Sequence, residues 1–553
     1  MKDLKAIVRK YALQNAVFYG GKCNPGAVIG KVMAEKPELR PRSDEVKKAA
    51  AAAAKEVNTL SPEEQKQELA SIDEKMLVKE DKKQEDLPPL RNAVEGKVVT
   101  RFAPSPTGPM NLGQFLRACM LSYFYARKYK GTFFLRIEDT DADKISKECE
   151  EWIKEDLDAC GVERDAEYRQ SDRMKTYYKY ADKLVDEGKA YVCVCPAEKF
   201  MELKKEMIDC PCRAAKDHEK RWKKMTGGGY GEGGAVLRFM TDMAHPNPVL
   251  RDPPLFRINS ALHPSQGTKY KCWPLYNFAC AVDDHCLRVS HVFRGKEHEH
   301  NTAVQALIYG SFGWKQPETV NFGMIYMPGE KLHTRDIKEK IARGEISDWD
   351  DPRLHTIRAF LRRGFRPEAL KAYAKDCSLT KTDIRINMDS LETHNRRLID
   401  PKADRYMTVL EPEAIIVEGL KKKDAHLIVH PNFPERGKRN VAVEPSSMWI
   451  SGQDFMQLRG RTIRLKELGN VKLGKNAVYE GNEIVQDMPK IQWVSVPHIK
   501  VKVLMPDGSA REGLGEPAMG QLKAGSIIQM ERTGFARVDK VEDGMVTLVF
   551  AHK

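Results

Sequence analysis

The alternation of apolar and polar positions divides the chain into stretches with different periods. Residues 1 to about 75 read as helical. Asp44–Asn58 contains an alanine run, and alanine is the best helix former. Ser61-Pro62-Glu63-Glu64 predicts a second helix start, with Ser61 as N-cap, Pro62 as first helical residue and Glu64 as reciprocal capping partner. Lys79–Asp86 is polar throughout and precedes Pro88-Pro89, which predicts a solvated linker.

The pattern changes at Val98. VVTRFA reads as a strand, Asn111–Lys128 as helical, and Thr132–Ile137 as a second strand. Strand, helix, strand over this distance is a βαβ unit, hence a parallel sheet. Ile145, Cys149, Trp152, Ile153 and Leu157 follow at helical spacing and should pack on it. Parallel sheets bind ligands beyond the carboxyl ends of their strands, where Pro104–Gln114 falls. Residues from about 190 to 270 look like an insertion. After Tyr276, the runs FACAV and SHVFRG read as further strands of the sheet. Trp349–Leu370 is basic and partly helical. Beyond about 405 the chain becomes short β-prone runs with frequent turn signals, predicting one or two barrels.

Composition narrows the class. The chain has 553 residues, 92 Lys+Arg and 79 Asp+Glu, for a net charge of +13. Hydrophobic and charged fractions of 41% and 31% exclude collagen, wholesale disorder and a membrane bundle. No run of about 18 apolar residues predicts a membrane span. The first twenty residues are amphipathic and lack a signal-peptide core, so a cytoplasmic chain is expected. The basic excess points to a polyanion such as nucleic acid, although solvated surface charge reads equally well.

Twelve cysteines are too sparse for a disulfide scaffold. Four of them, Cys193, Cys195, Cys210 and Cys212, form a CxC…CxC pair that suits tetrahedral zinc. The alternative is a set of reduced thiols in a compact insertion. Gly229–Gly234 spells GxGxxG, but a strand follows it rather than precedes it, so it reads as a turn and not as a dinucleotide fingerprint. Basic clusters at Phe360–Arg366, Lys421–Lys423 and Arg436–Arg439 are expected to track a phosphate backbone, and Trp493 is a candidate for base stacking.

RFAPSPTGPMNLGQFLRA (Arg101–Ala118) resembles the signature region of class I glutamyl-tRNA synthetases, archaeal type. The resemblance continues through Phe134–Asp141, Tyr276–Thr302 and Trp349–Gly364, and reaches both ends of the chain. It implies an α/β fold: a class I Rossmann-like parallel-sheet catalytic domain with a helical N-terminal region and C-terminal all-β barrel anticodon-binding domains. The expected divisions are a helical region and linker at 1–96, catalytic halves at 97–190 and 271–345, an acceptor-end insertion at 191–270, a helical connector at 346–404 and barrels at 405–553. The implied activity is glutamate–tRNA ligation. L-glutamate is activated with ATP and Mg²⁺ and passed to tRNA(Glu) by a monomer with no membrane partner. The cysteine spacing is similar to the zinc-binding insertion of some members, where zinc would be structural.

The resemblance also implies site residues. Arg101 and Arg294 would grip the substrate carboxylates, since guanidinium matches carboxylate geometry. Ser105 would donate a hydrogen bond, Glu138 would pair with the ammonium, and Tyr276 would line the pocket. The glutaminyl relatives lack an arginine at the position of Arg294, which favours glutamate over glutamine here.

The nucleotide motifs depart from the family. HIGH becomes Asn111-Leu112-Gly113-Gln114, and LSTSK becomes Leu332-His333-Thr334-Arg335-Asp336. Asn111 and Gln114 can donate to phosphate but carry no charge, while Gly113 keeps close approach open. Lys331, Arg335 or Lys338 would supply the missing positive charge. The same changes would fit a tRNA-binding relative with weakened activation, and a glutaminyl ligase is the third reading.

Overall fold

The computed structural model describes residues 2–18, 21–77, 87–327 and 334–553. The predicted linker Lys79–Asp86 and the residues Lys331, Leu332 and His333 lie outside the described residues. The chain divides into two units, 1–86 and 87–553.

The first unit is helical, with helices Lys2–Phe18, Pro25–Glu35, Ser43–Val57 and Pro62–Asp73. Val8, Leu13, Val28, Val46, Val57 and Leu69 form its core, all at most 1% exposed. The capping box forms as read: the Glu64 amide donates to Ser61 Oγ (3.3 Å), and the Ser61 amide donates to Glu64 Oε2 (2.8 Å).

In the second unit, Val99–Phe102, Thr132–Ile137 and Ala166–Arg169 pair in parallel, in that order. His291–Gly295 and Glu318–Phe322 form another parallel pair. The two join where the Ser290 amide donates to the Val99 carbonyl (3.0 Å). Phe133, Phe134, Leu135 and Ile137 are all at most 2% exposed, as expected of a strand covered on both faces. The predicted helix runs from Leu112 to Lys128 with a π-helical turn at Phe115–Cys119. Ser146 caps the helix Lys147–Ala159 by accepting from the Cys149 amide (3.1 Å), and Cys149, Ile153 and Leu157 face the core.

One expected element is different. FACAV is not a strand but lies within an α-helix, Tyr276–Cys286. A short apolar run buried on all sides carries no period that separates strand from helix. SHVFRG does form the strand His291–Gly295.

A four-stranded antiparallel sheet, Ala190–Cys193, Val236–Phe239, Pro254–Ile258 and Cys272–Pro274, is inserted between the parallel segments. The glycine-rich stretch joins the helix His218–Thr226 to the strand Val236–Phe239, so it is a turn.

The C-terminal part holds two seven-stranded sheets, one nested in the sequence of the other. The outer sheet has Asp404–Tyr406 and Thr408–Leu410 as its opposite edges. Only Met407 separates them, so the edges are adjacent and the sheet closes on itself. The inner sheet closes likewise, its edge strands Lys490–Ile491 and Val494–Ser495 being joined by Gln492 and Trp493. Trp493 is 0% exposed and donates to the Lys466 carbonyl (2.8 Å). It is a core residue, which removes it as a candidate for base stacking.

In two of the basic clusters several guanidiniums are engaged by groups of the chain itself, while Arg366, Arg436 and Lys438 stay exposed. Arg362 pairs with Asp350 (3.0 Å) and Asp539 (2.8 Å), and Arg363 donates to the Ala551 carbonyl (2.7 Å). Arg439 pairs with Glu516 (2.8 Å) and lies over the Tyr406 ring, while Arg436 bonds Asp404 and the Lys402 carbonyl. These guanidiniums fasten the connector helices and the barrels to one another. In the lysine cluster, Lys422 is exposed and pairs with Glu444 (2.7 Å).

Candidate active site

The parallel strands end in charged residues. Val99–Phe102 carries Arg101, Thr132–Ile137 carries Arg136 and leads into Glu138, and His291–Gly295 carries Arg294. The helix Tyr276–Cys286 adds Tyr276, Cys280, Asp283 and Asp284, which helical spacing places on adjoining faces.

The buried members form one network. Arg101 meets Asp284 through two hydrogen bonds, Nε to Oδ1 (3.2 Å) and Nη2 to Oδ2 (3.3 Å). Arg136 donates to Asp284 Oδ1 (2.6 Å) and to Glu138 Oε1 (2.8 Å), and the Cys280 thiol donates to the same Glu138 oxygen (3.1 Å). Asp283 accepts from Arg173 Nε (2.6 Å) and the Tyr177 hydroxyl (2.7 Å). Burial opposes ionisation of Asp284, but the Arg101 and Arg136 guanidiniums outweigh it and hold the carboxyl below its usual range. Burial pushes the Tyr276 hydroxyl and the Cys280 thiol up, with Glu138 adding to both.

Arg294 differs from its neighbours. It is 6% exposed, and its Nη2 donates to Gln305 Oε1 (2.7 Å). Its Nε and Nη1 have no hydrogen-bond partner among the described residues. A buried guanidinium with two open donors is costly unless something anionic meets it.

The other end of the site is exposed. Ser105, Asn111 and Gln114 line a cavity with Thr107, Gly108 and Thr334. Asn111 and Gln114 cap their helix reciprocally: Asn111 Oδ1 accepts from the Gln114 amide (2.9 Å), and Gln114 Oε1 accepts from the Asn111 amide (3.2 Å). With both oxygens engaged, the two side-chain NH₂ groups are left as donors. Behind this turn the Met110 amide donates to Asp156 (3.1 Å), whose carboxyl burial pushes up to about 7 against the opposing charge of Arg358. The segment is also pinned by the Leu112 amide donating to the His355 carbonyl (2.9 Å). A Cβ on Gly113 would lie 3.3 Å from Asn111 Oδ1, and one on Gly108 would lie 3.0 Å from Thr334, so both glycines keep this turn close to its neighbours. Arg335 and Lys338 stand exposed on the helix Thr334–Ala342, with Arg335 bonded to Glu339 (3.1 Å).

The four cysteines of the insertion come together. Their Sγ atoms lie within 4.8 Å of one another, with neighbouring pairs at 3.6 to 3.7 Å. Sulfurs about 2.3 Å from a tetrahedral zinc stand about 3.8 Å apart, so the set fits that ion.

The sequence reading missed Arg136, Asp284 and Gln305, which hold Glu138, Arg101 and Arg294. Arg136 and Asp284 stand inside motifs already singled out, but only the fold shows them to be partners.

A parallel sheet with a buried charged cluster at its strand ends, joined through helices to two closed barrels, fits a class I synthetase. The family model for tRNA synthetases class I (E and Q), catalytic domain, matches residues 97–401, and the two anticodon-binding domain models of that family match 403–489 and 490–539. This chain belongs to that family. It is 43% identical to the glutamate–tRNA ligase of Thermococcus kodakarensis and 42% identical to that of Pyrococcus furiosus, in both cases over 100% of each chain. A crystal structure of a glutamate tRNA ligase from Elizabethkingia meningosepticum with its amino acid overlaps 56% of this chain and 70% of that one, at 22% identity and a TM-score of 0.41.

Proposed function

We propose that this chain is a glutamate–tRNA ligase, activating L-glutamate with ATP and transferring it to the 3′ end of tRNA(Glu). The observation that carries the substrate is Arg294, buried with two donors open. A side-chain carboxylate satisfies them, whereas the neutral amide of glutamine leaves the charge without a counter-ion, at a cost of about 3–5 kcal/mol. In this reading Glu138, braced by Arg136 and Cys280, receives the ammonium. Arg101, fixed by Asp284, supplies a second positive centre, and Ser105 and Tyr276 complete the pocket.

The nucleotide lies along Asn111, Gly113 and Gln114, whose amide donors and helix N-terminus face the phosphates. Lys331, Arg335 and Lys338 bring charge from the second motif, and Mg²⁺ would add neutralisation of the triphosphate. The four thiolates are assigned to a structural zinc, which metal analysis of the purified chain should find at one per molecule. The chain works as a cytoplasmic monomer.

The test is ATP–pyrophosphate exchange with glutamate or glutamine, each with and without tRNA. Exchange with glutamate in the presence of tRNA is expected. Silence from folded protein, or preference for glutamine, would overturn the reading.

A further inference from the structure

Arg294 is aimed by a file of side-chain amides whose polarity can be worked out from end to end. Its Nη2 donates to Gln305 Oε1 (2.7 Å), and Gln305 Nε2 donates to Asn277 Oδ1 (3.3 Å). Asn277 Nδ2 donates to Asn301 Oδ1 (3.1 Å), and Asn301 Nδ2 lies 3.0 Å from His298 Nδ1. Asn301 and Gln305 are one helical turn apart on Glu299–Phe312, and Asn277 reaches them from the first turn of Tyr276–Cys286. His298 ends the short turn that follows the strand bearing Arg294, and its ring centre lies 5.8 Å from that of Tyr276. The file therefore leaves the amino-acid pocket at Arg294 and returns to it beside Tyr276.

The guanidinium sets the direction of every link. It can only donate, so Gln305 must turn its oxygen towards Arg294. Gln305 then has only its NH₂ for Asn277, Asn277 only its NH₂ for Asn301, and Asn301 only its NH₂ for the imidazole. His298 Nδ1 must accept, which places the ring proton on Nε2. A protonated ring would set donor against donor at the last link.

We propose that Gln305, Asn277, Asn301 and His298 form a positioning relay that aims Arg294 at the substrate carboxylate and holds His298 as the neutral Nε2–H tautomer beside Tyr276. The first half rests on the function proposed above, while the second is a property of the folded chain alone. Burial opposes a charge on His298 most strongly, and Arg294 and His300 add to this, against Glu297 and Glu138.

The test uses the full-length chain. Hydrogen–deuterium exchange at the histidine C2 position, read by mass spectrometry, gives the titration midpoint of His298. It is expected below that of an ordinary histidine. In Asn301→Asp the new carboxylate accepts from both Asn277 and a protonated ring, so the midpoint should rise by about one to three pH units. An ordinary or raised midpoint in the native chain, or no rise in the variant, overturns the relay. Gln305→Met removes the bond that aims Arg294 and should raise the glutamate KM about 10- to 100-fold with little change in kcat. An unchanged KM would overturn the aiming role. If the native chain charges no glutamate, the proposed function fails, while the exchange measurement still decides the relay.

Discussion

The two ends of the proposed active site are built on different electrostatic plans. At the amino-acid end, Arg101, Arg136 and Arg294 are 5%, 0% and 6% exposed; Arg101 and Arg136 are paired with Asp284, and Arg294 bonds Gln305. At the nucleotide end, Ser105, Asn111 and Gln114 are exposed and uncharged. Charges held in a low-dielectric interior discriminate sharply, because each mismatch strands a desolvated ion. Neutral amides facing solvent can be exchanged at much lower cost, since each hydrogen bond replaces one to water. On this contrast, a substitution among the exposed amides should cost less than one among the buried charges.

The comparison is sharpest at Arg294. Arg294→Leu should lower kcat/KM for glutamate by about 100- to 1,000-fold, the equivalent of about 3–4 kcal/mol. Steady-state aminoacylation reads it, and a change within threefold would remove the distinction between the two ends. Next is Asp284→Asn, which leaves Arg101 and Arg136 short of their shared counter-ion. Denaturant unfolding should show a loss of about 3–5 kcal/mol at neutral pH.

Asp284 also makes a pH prediction. Its carboxyl lies below the usual range when folded. Its contribution is therefore complete above the unfolded value of about 3.9 and disappears as pH falls through the lower folded value. Asp284→Asn should flatten that acid limb of the stability profile. If the two profiles run parallel below pH ~4, the ion pair is not the source of acid sensitivity.

The smallest effect is expected at the nucleotide end. Asn111→Ala removes one half of the capping box and should cost about 1 kcal/mol of stability, with a rise of about fivefold in the KM for ATP. A loss as large as that of Arg294→Leu would show that the exposed end is as demanding as the buried one.

Much of the architecture was legible from local signals. The capping box at Ser61 and Glu64, the strand–helix–strand unit from Val99 to Ile137 and the β-rich tail each depend on periods and turn residues that act over a few positions. FACAV failed because a fully buried apolar run looks alike as strand or helix. Trp493 failed for a different reason, and the ion pairs of the arginines at 362, 363, 436 and 439 went unread for the same one. A large aromatic or a guanidinium is read as a ligand-binding group until its neighbours in space are known, and those neighbours lie far away in sequence.

The amino-acid sequence alone determined the family, the order of the elements and the presence of an arginine at position 294, because motifs and periodicity are properties of neighbouring residues. Only the tertiary structure decided which charges are spent and which are open. Asp284, 183 residues away, takes two of the donors of Arg101, while Arg294 has two donors without a partner among the described residues. The physical reason is that the state of a buried charge depends on every group within a few ångströms, and folding alone assembles that set.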